Sequence, residues 1–253
     1  MIKFICAETE REAGLRAAEI MAEVIKKRPT ALIGLATGST PLNMYSELVG
    51  MYKSGELSFE NVKSVNLDEY VGLLPTHDQS YAYFMCENLF GHIDIRPENT
   101  HIPSGIAEDP IEECHKYDRL LDKLGRVDIQ LLGIGHNGHI AFNEPNTHFP
   151  KNTTLVNLTD STVNANSRFF DSPDQVPKQA ISMGIGRILK AERILLLATG
   201  QGKADILERA LFGKVTPEIP ASILQFYQGE LIVVTDEKAF STIKEKHPNV
   251  NPE

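Results

Sequence analysis

Short apolar runs alternate along this chain with longer amphipathic stretches. Ile2–Cys6, Ala31–Ala36, Val127–Leu132, Arg193–Ala198 and Leu231–Thr235 are mainly apolar, and Val62–Leu67 carries apolar residues at 62, 65 and 67, which predicts short buried strands. Between them the period changes. Leu15, Ala18, Ala22 and Ile25 form a helical stripe that follows Thr9 and Glu12, a pair at capping-box spacing, and ends near Pro29. Tyr81–Phe90 and Ile111–Leu124 read as helices with polar faces, in which Phe84, Cys86, Phe90 and Cys114 are expected to pack. Residues 151–182 break the pattern, being rich in Asn, Thr, Ser, Asp and Pro, with Pro173 and Pro177 and one anchor at Arg168-Phe169-Phe170. A long aperiodic stretch of this kind is usually functional, so a lid is expected there.

The strand ends carry the candidate chemistry. Leu131–Pro145 runs from an apolar strand into Gly133, Gly135 and Gly138 and then His139, Asn143 and Glu144. Glycine loses the most entropy on folding, so three of them here predict a close backbone approach, and the polar residues beyond are of proton-transfer types. Pro145 disfavours helix at Glu144 and should send its carboxylate back towards the pocket. Asp68 and Glu69 follow another strand, where ligands of parallel α/β sheets bind.

Thr37-Gly38-Ser39-Thr40-Pro41 reads as a strand-to-helix loop with Thr40 as N-cap and Pro41 in the first turn, an arrangement suited to phosphate. An ordinary capped turn would look the same. Thr199-Gly200-Gln201-Gly202-Lys203 repeats the arrangement with a lysine at the helix start.

Composition narrows the function. A chain of 253 residues with 42% hydrophobic and 23% charged content can bury its own core, and one domain covers that length. The net charge of −9 argues against nucleic-acid and anionic-membrane partners, so an anionic ligand needs local cations. Three scattered cysteines (Cys6, Cys86 and Cys114) give neither a disulfide framework nor a zinc pattern and read as reduced buried thiols. The first apolar run is too short for a signal peptide and none approaches a membrane span, so a cytoplasmic location is expected.

The combination of Asp68-Glu69-Tyr70, Gly-His-Ile-Ala-Phe-Asn-Glu-Pro at 138–145, Asn-Ser-Arg-Phe-Phe at 166–170 and Pro-Ala-Ser at 220–222 resembles glucosamine-6-phosphate deaminases, in order and across the whole chain. The resemblance implies a single Rossmann-like three-layer α/β domain with a mostly parallel sheet, and conversion of glucosamine 6-phosphate and water to fructose 6-phosphate and ammonia without metal or redox cofactor. It implies that Asp68 moves a proton between C2 and C1. His139 would open the sugar ring with Glu144, and with Asn137 beside them. Gly38, Ser39, Thr40, Arg168 and Lys203 would hold the phosphate.

Asn137 departs from the aspartate of many members. An amide cannot be the charged partner of His139, so Glu144 is expected to carry that work. Where allosterically activated members carry an arginine and a lysine, this chain has Thr154 and Val156, so activation by N-acetylglucosamine 6-phosphate is expected to be absent. Monomer and homo-oligomer both stay open. A 6-phosphogluconolactonase would follow its Gly-His with small residues and Leu-Phe-Pro, unlike Ile-Ala-Phe-Asn-Glu-Pro here. A sugar-phosphate-sensing domain would not need Asp68 and His139.

Overall fold

The computed structural model describes residues 2–170, 172 and 175–253, with Ala165 and Phe169 described by backbone alone. The elements run β1 (Ile2–Ala7), α1 (Glu10–Lys27), β2 (Leu32–Leu35), α2 (Leu42–Lys53), β3 (Lys63–Asn66), β4 (Asp68–Tyr70), α3 (Tyr81–Asn88), β5 (Thr100–His101) and α4 (Pro110–Leu124). They continue with β6 (Ile129–Leu132), β7 (Thr154–Asn157), α5 (Asp160–Asn166), β8 (Gln179–Ser182), α6 (Ile185–Ile188), β9 (Arg193–Ala198), α7 (Ala204–Phe212), β10 (Glu230–Asp236) and α8 (Glu237–Lys246).

Seven strands form a parallel sheet in the order β1-β10-β9-β6-β2-β3-β5. Helices cover both of its faces, which makes the fold the expected three-layer α/β arrangement. Sandwiched strands have no solvated face, and β2, β6 and the interior of β9 and β10 are accordingly buried at every position. Thr9 caps α1 by accepting from the Glu12 amide, as the spacing predicts. Its alanine-rich buried face (Ala13, Ala17, Ala18, Ala22) lets the helix lie close to its neighbours.

From β2 the chain moves outwards to β3 and β5, then returns through β6 on the other side of β2 and continues to β9 and β10. The crevice beyond the carboxyl ends of β2 and β6 is therefore a topological switch point, where such sheets bind ligands.

Three features differ from the sequence reading. Asp68–Tyr70 is not a loop after a strand but β4, outermost in a second, antiparallel sheet of order β4-β8-β7. Residues 151–182 are not structureless: β7 and β8 border the stretch, and α5 within it is capped by Thr159 accepting from the Thr162 amide. Four-residue strands carry too little sequence to show a period. Pro173 and the Phe169 side chain lie outside the described residues. Finally, Cys114 is buried, but Cys86 is exposed and does not pack.

Candidate active site

A cleft of about 370 Å³ opens at the switch point, lined from the ends of β2, β3 and β6, the turn after β9, and α5. Gly38, Ser39, Thr40, Asp68, Asn137, His139, Arg168 and Lys203 all line it. Of the expected site residues only Glu144 does not, because it stands buried behind His139.

Asp68 enters from β4. Alternation along the strand turns its neighbour the other way. The Glu69 carboxylate accepts from the amides of Tyr70 (2.8 Å), Tyr81 (2.9 Å) and Ala82 (2.9 Å), satisfying the free N–H groups where α3 begins. The two adjacent acids thus divide into a cleft carboxyl and a helix anchor. Burial pushes the Asp68 carboxyl up to about 8; the Glu69 charge adds to this, and a hydrogen bond from the Phe142 amide offsets only part of it. That amide also donates to Ser182 Oγ on β8 (3.0 Å). Tyr81 packs its ring parallel to Phe142, centroids 5.8 Å apart, giving the cleft an aromatic wall beside Asp68.

The opposite wall is the loop after β6. His139 Nδ1 lies 3.4 Å from Glu144 Oε2. Asn137 links the pair: its side-chain N–H donates to the same Glu144 oxygen (2.7 Å) and its carbonyl accepts from the His139 amide (3.1 Å). Burial raises Glu144, but bonds from His139, Thr162 and Asn137 together with the His139 charge outweigh it and hold the carboxyl below its ordinary range. Asn137 is therefore a bridge from a charged carboxylate to the backbone of the imidazole, a part an amide plays better than a second carboxylate.

Each of the three glycines has its own reason. At Gly135 a Cβ would fall 2.4 Å from His139 Nε2, so this glycine makes room for the imidazole. Gly138 turns with φ +86, and a Cβ there would meet Ile219 at 2.7 Å. Only Gly133 fits the expected close approach of backbone to ligand, since it lines the cleft with open space where a Cβ would stand.

Asn143, read as a proton-transfer type, is a brace instead: it is buried and donates to the carbonyls of Ile140 and Met183, both at 2.9 Å. The Pro220-Ala221-Ser222 turn buttresses the loop from behind, with the Ala221 amide donating to Gly138 O (2.8 Å).

Two turns and α5 complete the cleft. α2 begins at Leu42 with Pro41 as its N-cap and no side-chain cap, so Thr40 does not cap the helix as expected. Its hydroxyl is not consumed there and stands in the cleft lining with Gly38 and Ser39. Across from them the half-buried Lys203 donates to Ile134 O (2.7 Å). Burial, reinforced by the Arg168 charge, pulls its ammonium down to about 8. Ser161, Thr162 and Asn166 of α5 also line the cleft. Sequence reasoning missed the first two, for which the Thr159-to-Thr162 spacing was the available signal.

A buried protonatable carboxyl facing a carboxylate-backed imidazole, at the switch point of a parallel sheet and beside paired cations, defines an α/β enzyme of acid–base chemistry. Comparison with known proteins is narrower. The family described as glucosamine-6-phosphate isomerases/6-phosphogluconolactonase matches residues 7–233, and the chain belongs to that family.

A glucosamine-6-phosphate deaminase of Thermoanaerobacter sp. (strain X514) is 49% identical over 97% of this chain and 96% of its own length. One from Clostridioides difficile (strain 630) is 52% identical over 91% and 92%. The solved structure of a monomeric glucosamine-6-phosphate deaminase superposes with a TM-score of 0.92 at 44% identity, covering 95% of this chain and 99% of its own. The 6-phosphogluconolactonase of Trypanosoma brucei (TM-score 0.76, 16% identity, 96% and 99% covered) shares the fold.

Proposed function

We infer that the chain is a glucosamine-6-phosphate deaminase, converting glucosamine 6-phosphate and water to fructose 6-phosphate and ammonia. The observation that carries this reading is the convergence in one cleft of Asp68 with the His139–Glu144 pair and the Arg168 and Lys203 cations. In the proposed sequence His139 first takes the C1 hydroxyl proton and passes it to the ring oxygen as the C1–O5 bond breaks, and the sugar opens to its aldehyde. Glu144 supports the imidazolium this creates, and Asn137 holds both partners in place.

Asp68 then takes the C2 proton, acidified by the C1 carbonyl, and returns it to C1. The C2–H bond pair becomes a C1=C2 bond as the C1 oxygen takes the substrate's ammonium proton, and it then forms the new C1–H bond while the freed nitrogen lone pair makes C2=N. Water adds at C2 and ammonia leaves. A carboxyl near pKa 8 is a stronger base than an ordinary one, and a positioned base contributes about 10²–10⁴-fold.

Gly38, Ser39 and Thr40 would hold the phosphate from one side and Lys203 and Arg168 from the other, through charge-assisted bonds. Because Arg168 lies within residues 151–182, phosphate binding would draw that lid over the cleft and exclude water. No helix among the described residues is long and apolar enough to cross a membrane.

The test is incubation with glucosamine 6-phosphate while ammonia and fructose 6-phosphate are measured together. Equal amounts support the reading; no product, or hydrolysis of 6-phosphogluconolactone in its place, overturns it.

A further inference from the structure

We propose that His136 is a further phosphate-binding residue of this cleft, one that takes up a proton as the phosphate arrives. The proposal deepens the deaminase reading and rests on it. His136 occupies the loop between Gly135 and Asn137, is exposed, and lines the cleft on the same wall as Lys203. Its Nδ1 lies 3.3 Å from Gly202 O, and a Cβ at Gly202 would meet its Cε1 at 3.2 Å. The imidazole is thus laid against the Gly200–Lys203 turn, whose lysine is in turn tied to the carbonyl of Ile134. This closes the cationic side of the cleft with a third nitrogen base.

The ring's chemistry gives it a conditional role. A neutral imidazole has one N–H and one lone pair. With the Nδ1 proton directed at Gly202 O, the neutral ring is left with only a lone pair on Nε2, which repels phosphate. The protonated ring donates from both nitrogens.

The charged groups that bear on it are Lys203 on the adjoining turn, Arg168 beyond α5, and His139 on its own loop, all disfavouring a further positive charge. Lys203 does most to hold His136 below its ordinary range, with the partial burial of its ring second, while the bond to Gly202 opposes them. A phosphate dianion arriving among these cations reverses the balance, and His136 becomes a cation when its charge is useful. Binding therefore tightens as pH falls towards the second ionisation of the phosphate itself, near 6.

His136→Asn retains a donor for Gly202 O and removes the titration; His136→Arg supplies a permanent charge. Steady-state KM and kcat for glucosamine 6-phosphate would be measured from pH 6.5 to 8.5 for all three proteins. Ionisation of the substrate is common to them and cancels in the ratios, and that of Lys203 cancels between wild type and His136→Asn, where residue 136 is uncharged across the range in which Lys203 titrates.

The KM of His136→Asn over that of the wild type should be near 1 at pH 8.5 and about three- to fivefold at pH 6.5, the range of a partly exposed ion pair. The effect should fall on KM rather than kcat, and His136→Arg should abolish the extra pH dependence. Calorimetric titration with inorganic phosphate, in two buffers of different ionisation enthalpy, should show more proton uptake by the wild type than by His136→Asn. A KM ratio flat with pH, equal proton uptake, or a loss confined to kcat overturns the proposal. Absence of turnover by the wild type would instead refute the deaminase reading, and the phosphate titration would still decide the role of His136.

Discussion

Replacing Gly135 by alanine should disable the enzyme without unfolding it. The added Cβ would stand 2.4 Å from His139 Nε2 and 2.5 Å from Cδ2 and Cε1, where ordinary contact begins at 3.4 Å. The imidazole must retreat by about 1 Å, since atoms of this kind do not overlap at lower cost. The backbone cannot give way instead: the Gly135 amide donates to His139 O (2.9 Å) and its carbonyl accepts from Gly138 (3.0 Å). The retreat displaces the ring from its seat beside Glu144, its partner at 3.4 Å.

A misplacement of about 1 Å at a reacting group costs roughly 10²-fold, whereas the overpacking costs the fold about 1–3 kcal/mol. Ammonia release should therefore show kcat down about 100-fold with KM little moved, and a thermal melt should show a folded protein. Gly133→Ala is the contrast. Its Cβ meets nothing of the protein and occupies cleft space, so its effect should fall on KM. If Gly135→Ala keeps kcat within about threefold of wild type, the close seat of the imidazole has no part in the chemistry.

Other expectations follow from the same site. The kcat/KM profile should rise with pH towards the Asp68 value near 8 as the base loses its proton, and fall above the Lys203 value near 8 as the phosphate loses a cation; a flat profile from pH 6 to 9 would contradict both assignments. Asp68 also binds its proton more tightly folded than unfolded, so stability should decline as pH rises from about 4 to about 8. Asp68→Asn should flatten that decline in a series of melting temperatures, and should abolish solvent-isotope exchange at C2.

Asn137→Asp sets a carboxylate against Glu144 where an N–H now donates at 2.7 Å, so its melting temperature should fall further below wild type at pH 8 than at pH 5. N-acetylglucosamine 6-phosphate should leave the substrate saturation curve unchanged, because the places of the basic effector residues are Thr154 and Val156, paired in β7 with Ser182 and Ala180.

Apart from β5, two residues reading Thr-His, the large sheet was legible in the sequence because its strands are sandwiched: mainly apolar runs such as Leu32–Leu35 and Arg193–Ala198 declare themselves. The second sheet was not. β4 spells Asp-Glu-Tyr, and β7 and β8 are four residues each with half-polar faces, so nothing in their composition separates them from loop. The residue types of the site were visible as glycines and acids after strands, but their directions were not. Only the pleat of β4 reveals that Glu69 turns to α3, and only the bonds of Asn143 to two carbonyls show it to be a brace. The cap of α2 was misread because Pro41 itself takes helical dihedrals at the N-cap, shifting the start by one residue.

The Asp68-Glu69 pair has a consequence for how the chain can go wrong. β4 is three residues long and, among the described residues, pairs within its sheet with β8 alone, so few ladder bonds hold its register besides the flanking ones from Met183 to Leu67 O (2.7 Å) and from Val71 to Gln179 O (3.0 Å). A slip of one position would exchange the two side chains' faces. The misaligned molecule would be compact and still carry a carboxyl towards the cleft, but that of Glu69, one methylene too long, with Tyr70 standing where a carboxylate should meet the amides that open α3. The Glu69 bonds to Tyr81 and Ala82 penalise that state, acting as a proofreading contact during folding. Variants weakened at Glu69 should accumulate as soluble, well-folded and inactive protein, a failure that expression yield alone would not reveal.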